Sequence, residues 1–400
     1  MNAATLTIKG PIVIATGGTG GHLFPGQALA EELKRREHAV VLITDDRVRK
    51  FDTLFPGVDV YAVPAATFAD RVGFGKVEAL VSIVSGVMRS YRLLGQIKPS
   101  VVIGFGGYPS LPPVLAALLR GVPVCVHEQN AVLGRVNRLV APYVRAIAST
   151  FPKPAYLKPK YASKLAVTGN PVRDAVIEQV GLAYNAPEHA GNIRLLVFGG
   201  SQGARIMSDV VPDALARLPA ALRARLRVTQ QCRAEDLERV RARYVAAGVE
   251  TELASFFDTM PARIAQAHLI IGRSGASTVS ELAVIGRPSI LVPLPHSLDN
   301  DQKANASVLA DAGAAWMIEQ KDFTGESLAR RLQELLAAPE KLVAAAAAAR
   351  GRGEPRAVQL LADLVVAVGE RRNLPAGKDR RGSSGPGRVT GIFLMAGDAL

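Results

Sequence analysis

Four polar clusters in this chain have residue types and spacings suited to chemistry. In "GGTGGHLFPG" (17–26) a glycine-crowded turn leads into His22, whose imidazole titrates near neutral pH and can serve as a general base. In "HEQNAVLGRVNR" (127–138) a histidine, an acid, a glutamine and an asparagine follow directly on an apolar run. Four polar residues there exceed what capping needs, and His127 and Glu128 are alternative bases. In "GRSGASTVSELAVIG" (272–286) Ser280 and Glu281 lie on a helical pattern opened by a glycine loop. A carboxylate so placed can accept two hydrogen bonds from ribose hydroxyls whose phosphates rest on the helix start. In "PLPHSLDNDQKANA" (293–306) the amides of Gln302 and Asn305 can read sugar hydroxyls. Asp299-Asn300-Asp301 also spells a DxD, a spacing whose carboxylates can ligate a metal. Here it follows a strand in a chain whose helix starts already supply positive potential, so no metal site is expected.

The glycines recur. "GFGGYPS" (104–110), "FGGSQGA" (198–204) and "GRSGAST" (272–278) join the loop at 17–21 in running from a strand end into a helix start. Unpaired N–H groups and the helix dipole favour an anion there. Taken alone, the first loop is open to a dinucleotide, another phosphate or a plain tight turn. Gly18-Thr19-Gly20 begins a GxGxxG pattern and Asp45 could meet a ribose, but Leu23 stands at the third glycine position. A dehydrogenase needs one such loop per cofactor. Four loops in two halves indicate a diphosphate on one side and a second phosphorylated substrate on the other, with no cofactor.

These loops need strands to hold them. "IVIAT", "AVVLIT", "VVIGF", "VPVCVH" and "RAIAST" read as buried parallel strands, with helical patterns between them. "LAVTGNPVRDAV" (165–176) interrupts the rhythm with a Gly-Asn-Pro hinge, and alternation resumes with "IRLLVFGG". The expectation is α/β, with two Rossmann-like doubly wound domains in series around a cleft. Three helical segments close the fold before a basic tail, 369–400, rich in Gly, Ser, Pro and Arg, that is expected to be disordered.

Composition bounds the partners. Forty-eight per cent hydrophobic and 21% charged residues describe a globular chain of two domains, and aromatics at 5% give no base-stacking surface for nucleic acid. Two cysteines exclude a disulfide framework and fit a reducing cytoplasm. The net charge of +13 calls for an anionic partner, either a phosphorylated substrate or an anionic membrane surface. A signal peptide is not expected, nor is any spanning helix, because no apolar stretch approaches about 18 residues.

Together "GGTGGHLFPGQALAEEL", "GFGGYPS", "HEQNAVLGRVNR", "GNPVR", "FGGSQGA", "GRSGASTVSEL" and "DQKANA" resemble, in order from about residue 11 to 365, the MurG family. Its members transfer N-acetylglucosamine (GlcNAc) from UDP-GlcNAc to lipid I, giving lipid II for peptidoglycan. The resemblance implies the GT-B fold, with residues 1–168 as acceptor and membrane-facing domain and 169–354 as UDP-GlcNAc domain. Residues 355–368 would form a helix packing back on the first domain. It further implies that Thr19, Gly20 and Gly21 lie near the reacting sugar and phosphates and that Asn130 contacts GlcNAc. Arg173 and Ser201 would approach the donor nucleotide and its diphosphate, and Phe257 would present its backbone to uracil. Ala276, Ser277, Thr278, Val279, Ser280 and Glu281 would wrap phosphate and ribose, and Gln302 would bind the sugar. Many relatives carry an acid-rich "DDHQ" where this chain has Asn300-Asp301-Gln302. The implied setting is the cytoplasmic face of the bacterial inner membrane, held peripherally, with cell-wall and division proteins as further partners. The surface expected to touch lipid is 68–98, mixing Phe68, Val72, Phe74 and Leu80 with Arg71, Lys76, Arg89 and Arg92. The order of the motifs, above all "HEQN", argues against sister enzymes that glycosylate diacylglycerol or epimerise UDP-GlcNAc.

Overall fold

The computed structural model describes residues 8–18, 20–45, 55–66, 74–200 and 203–371. The chain divides into two compact units, one running to Pro171 and resuming at Arg356, the other spanning Val172–Pro355.

The first unit is a seven-stranded parallel sheet. Its strands are β1 (Ile12–Ala15), β2 (Val40–Thr44), β3 (Asp59–Ala62), β4 (Val101–Gly104), β5 (Val124–Glu128), β6 (Ala146–Ser149) and β7 (Leu165–Val167). They lie in the order β3-β2-β1-β4-β5-β6-β7. Side chains alternate across a strand, so each apolar run feeds two cores. Ile12, Ile14, Leu42 and Ile103 meet Leu29 and Leu33 of the helix Gly20–Arg35 on one face. Leu361 and Val365 of the helix Ala357–Gly369 complete that face. Val13, Val41, Val102 and Val126 pack on the other face with Ile83 and Leu94 of the helix Phe74–Ile97 and Val114 of the helix Leu111–Leu119.

The second unit repeats the plan with six parallel strands. These are β8 (Ile193–Phe198), β9 (Leu226–Gln231), β10 (Glu250–Ala254), β11 (Leu269–Gly272), β12 (Ser289–Leu291) and β13 (Ala315–Met317). Their order is β10-β9-β8-β11-β12-β13.

In both sheets the strand order reverses direction beside the first strand, between β1 and β4 and between β8 and β11. Ligands of open parallel sheets collect outside the carboxyl ends at this switch point. All four glycine loops sit there. The loop at 17–21 follows β1, "GFGGYPS" follows β4, "FGGSQGA" follows β8 and "GRSGAST" follows β11.

The strands that escape the reading of the sequence are β3, β7, β10 and β13, and these are the four sheet edges. An edge strand is paired on one side only, so it carries no continuous apolar run. β3 has three of its four residues exposed. The basic tail beyond residue 371, Phe68, Arg71, Val72, Thr19 and Ser201, and the side chains of Phe74 and Lys76, lie outside the described residues.

Candidate active site

In the first unit a chain of hydrogen bonds links three strand ends. The carbonyl of Phe105, just beyond β4, can only accept, and Gln129 Nε2 lies 2.9 Å from it. That contact fixes the amide orientation, so Gln129 Oε1 faces His22 Nδ1 at 3.1 Å. Gln129 Nε2 also meets His127 Nδ1 at 3.1 Å. His127 Nε2 in turn donates to Gly169 O at 3.0 Å. Both ring nitrogens of His127 are engaged and the side chain is fully buried. Burial holds its pKa down at about 4, only partly offset by the Gly169 carbonyl, so the ring is neutral.

His22 occupies the first turn of the helix Gly20–Arg35 and is only part-buried. Its Nε2 faces Gly107, where a Cβ would come within 3.3 Å of that nitrogen. Gly107 has a φ of 70°, and "GFGGYPS" needs a glycine there for both reasons.

Glu128 points the opposite way from His127, as alternation along β5 requires. Its Oε2 accepts from Gly134 N at 2.7 Å and Asn137 Nδ2 at 2.9 Å. Oε1 accepts from Asn130 N at 3.0 Å. Burial raises its pKa against the pull of these donors. The carboxylate braces the loop 129–134, and with it Asn130, rather than facing solvent.

In the second unit the helix Ala276–Ile285 opens at Gly275 with no side-chain cap. Ser277 Oγ, in its first turn, is buried with no hydrogen-bond partner. One turn further on, Glu281 is buried and accepts from Arg173 Nη2 at 3.4 Å. Burial raises its pKa, and the charge of Arg173 opposes the rise. Ser280 Oγ donates to Ala276 O at 2.8 Å, one turn back on the same helix.

The loop after β11 is tied to the loop after β12. Arg273 donates to the carbonyls of Val292 and Pro293, both at 3.0 Å, and to Gln320 Oε1 at 2.6 Å. Ser274 Oγ donates to Gln302 O at 2.7 Å, and Asn305 Nδ2 donates to Ser274 O at 3.1 Å. Asn305 is fully buried, so it fastens the loop. Gln302 Oε1 accepts from Leu294 N at 3.0 Å, which leaves Nε2 with no protein partner among the described residues. Phe257 follows β10, its ring buried beneath the guanidinium of Arg263 at 4.2 Å. His296, Asp299 and Asn300 all take positive φ, so the segment carrying the DxD is a tightly wound turn. Among the described residues no group of three or more His, Cys, Asp or Glu side chains is arranged to hold a metal.

The structure thus gathers Gly20, Gly21, His22, His127, Glu128 and Asn130 at one set of strand ends. Arg173, Phe257, Ala276–Glu281 and Gln302 belong to the other unit. The sequence reading counted Gln129 in its polar cluster without giving it a role, and gave none to Asn137, Arg273 or Ser274. For Gln129, Arg273 and Ser274 the available signal was polar residues directly continuing an apolar strand, whereas Asn137, on the helix Arg135–Val140, had none.

Two family descriptions match the chain, "Glycosyltransferase family 28 N-terminal domain" over residues 12–149 and "Glycosyltransferase family 28 C-terminal domain" over 194–361. A protein of Chelativorans sp. (strain BNC1) is 50% identical over 92% of this chain and 98% of its own length. One of Methylobacterium nodulans is 52% identical over 90% and 98%. Both carry the name UDP-N-acetylglucosamine–N-acetylmuramyl-(pentapeptide) pyrophosphoryl-undecaprenol N-acetylglucosamine transferase. Among solved structures, Acinetobacter baumannii MurG superposes with a TM-score of 0.72 at 30% identity, covering 89% of this chain and 99% of that one.

Proposed function

The chain belongs to glycosyltransferase family 28, and from that premise we infer that it transfers GlcNAc from UDP-GlcNAc to undecaprenyl-pyrophosphoryl-MurNAc-pentapeptide, converting lipid I to lipid II. The observation that carries this reading is the near-full-length identity of about one residue in two with relatives named for that reaction. Incubation with UDP-GlcNAc and a lipid I analogue, with the product linkage determined, tests it. A β-1,4-linked GlcNAc–MurNAc product is expected, and donor hydrolysis without that product would refute it.

The first unit is assigned the acceptor and the second the donor. The C4 hydroxyl of MurNAc attacks the anomeric carbon of GlcNAc from the face opposite UDP. The C–O bond to phosphate breaks as the new one forms, UDP leaves with the electron pair, and the configuration inverts. The hydroxyl proton passes to His22 Nε2. Among the three candidate bases His22 is favoured because His127 has both nitrogens engaged and Glu128 is committed to its loop.

Glu281 is assigned the ribose hydroxyls and Arg173 the diphosphate. The uncapped start of Ala276–Ile285, with the partnerless Ser277 hydroxyl, suits a phosphate oxygen. Fixed N–H groups there and the Arg173 charge would stabilise the departing UDP without a metal. Gln302 Nε2 suits a GlcNAc hydroxyl and Phe257 the uracil end. Ala276, Thr278, Val279 and Ser280 shape that helix start, and Thr19 and Ser201 complete the two glycine loops by family resemblance.

The acceptor's lipid requires contact with a bilayer, and no helix among the described residues is long and apolar enough to cross one. The helix Phe74–Ile97 offers a surface for it. Ala79, Ile83 and Leu94 face the core, while Val77, Leu80, Val81, Val84 and Met88 form a second, exposed apolar stripe at helical spacing. Arg89 and Arg92 lie exposed beside it. This combination suits peripheral attachment to an anionic leaflet, on the cytoplasmic face where UDP-GlcNAc is made.

A further inference from the structure

We propose that Gln129, backed by His127, is a positioning residue that holds His22 as its Nδ1–H tautomer, so that Nε2 is the atom able to take a proton. The inference rests on the base role given to His22 above.

Both ends of the hydrogen-bond chain force the same assignment. At one end the Phe105 carbonyl obliges the amide nitrogen of Gln129 to face it, so Oε1 must face His22 and can be met only by an N–H. At the other end the Gly169 carbonyl obliges His127 to carry its proton on Nε2. His127 Nδ1 is then an acceptor, and it receives the second hydrogen of the Gln129 amide. The Phe105 and His127 rings also lie 5.4 Å apart between centroids, so the buried part of the chain is packed as well as bonded.

Gln129 Oε1 can keep its bond to Nδ1–H whether or not Nε2 is protonated. His22 can therefore gain a proton with no change in this contact. His127 is held neutral by burial, Glu128 is turned onto its own loop, and Asn137 of the helix Arg135–Val140 is uncharged. Asp45 and Tyr108 are the titratable residues just past β2 and β4. A charge introduced at position 129 would be felt by the ring directly.

Nitrogen-15 NMR of histidine-labelled full-length protein reads the tautomers without reference to turnover. The expected result is His22 as Nδ1–H and His127 as Nε2–H. His22 found as Nε2–H would overturn the proposal. Kinetics supply the second arm. Gln129→Met should lower kcat by at least about tenfold while holding KM for UDP-GlcNAc within about twofold, because only the proton acceptor is disordered. Gln129→Glu places a carboxylate against the ring, stabilises its imidazolium, and should move the acidic limb of the kcat profile up by about one pH unit or more. An unmoved limb in that folded variant would also overturn the proposal. If His22→Ala keeps the activity and acidic limb of the parent, the base reading falls, whereas the NMR result still decides what Gln129 does.

Discussion

At the scale of single residues, Glu281 tests donor recognition. It is buried, its contact to Arg173 is long, and its helix start carries an unsatisfied hydroxyl. Hydrogen bonds to a charged group contribute about 1.5–3 kcal/mol, so Glu281→Ala should weaken UDP binding roughly tenfold to a hundredfold by calorimetry. Unchanged affinity in a folded variant would remove Glu281 from the site. His127 makes a second prediction, about stability. Its native pKa of about 4 lies below the unfolded value near 6.5. Between those values the unfolded chain binds more protons, so stability falls as the pH drops through this window and is unaffected above it. His268, also held down to about 4, adds to the same slope. Thermal midpoints measured from pH 7 to pH 4.5 should fall less steeply in His127→Gln, and equal slopes would count against a buried neutral ring. His22, His127, Glu128 and Asn130 could be picked from the sequence because polar residues abut apolar runs there. The same signal places Gln129 in the cluster but not its role, because its partners Phe105 and His22 follow other strands, and only the sheet order makes them neighbours.

At the scale of elements, the helix Phe74–Ile97 carries a test of membrane attachment. A helix with two apolar faces has one too many for a core, and the outer one is laid out by Val77, Leu80, Val81, Val84 and Met88. Replacing Val81 and Val84 with Glu should leave folding and UDP affinity intact, since both side chains are exposed. Sedimentation with anionic vesicles at low salt should then fall sharply, and binding undiminished by the double change would identify this as the wrong surface. Elements buried on both faces were the legible ones. β1, β4, β8 and β11 announce themselves as apolar runs ending in glycine, and they alone fix both switch points. The edge strands were not legible, because half their surface meets water and their sequences read as loops. β10, "ETELA", has no fully buried residue.

At the scale of the whole molecule, charge and connectivity matter more than any contact. The positive helix starts at four loops and a net charge of +13 are offered as the counterpart of two diphosphates. Activity should therefore persist in EDTA, with stimulation by divalent ions allowed. Complete loss, restored by one equivalent of metal, would return the Asp299–Asp301 turn to consideration. Connectivity carries a different consequence. The helix Ala357–Gly369 supplies Leu361, Ala362, Val365 and Val368 to the core over β4, β5 and β6, so the first unit is closed by the last of the described helices. On the ribosome, roughly 185 residues separate Pro171 from that helix, and at about 5–20 residues per second the wait is on the order of ten to forty seconds. During that interval the nascent first unit has an open apolar face, and the second unit can fold before the first is finished. Chaperone contact with stalled chains should accordingly persist past residue 355 and fade once the stall lies far enough downstream for the helix to emerge.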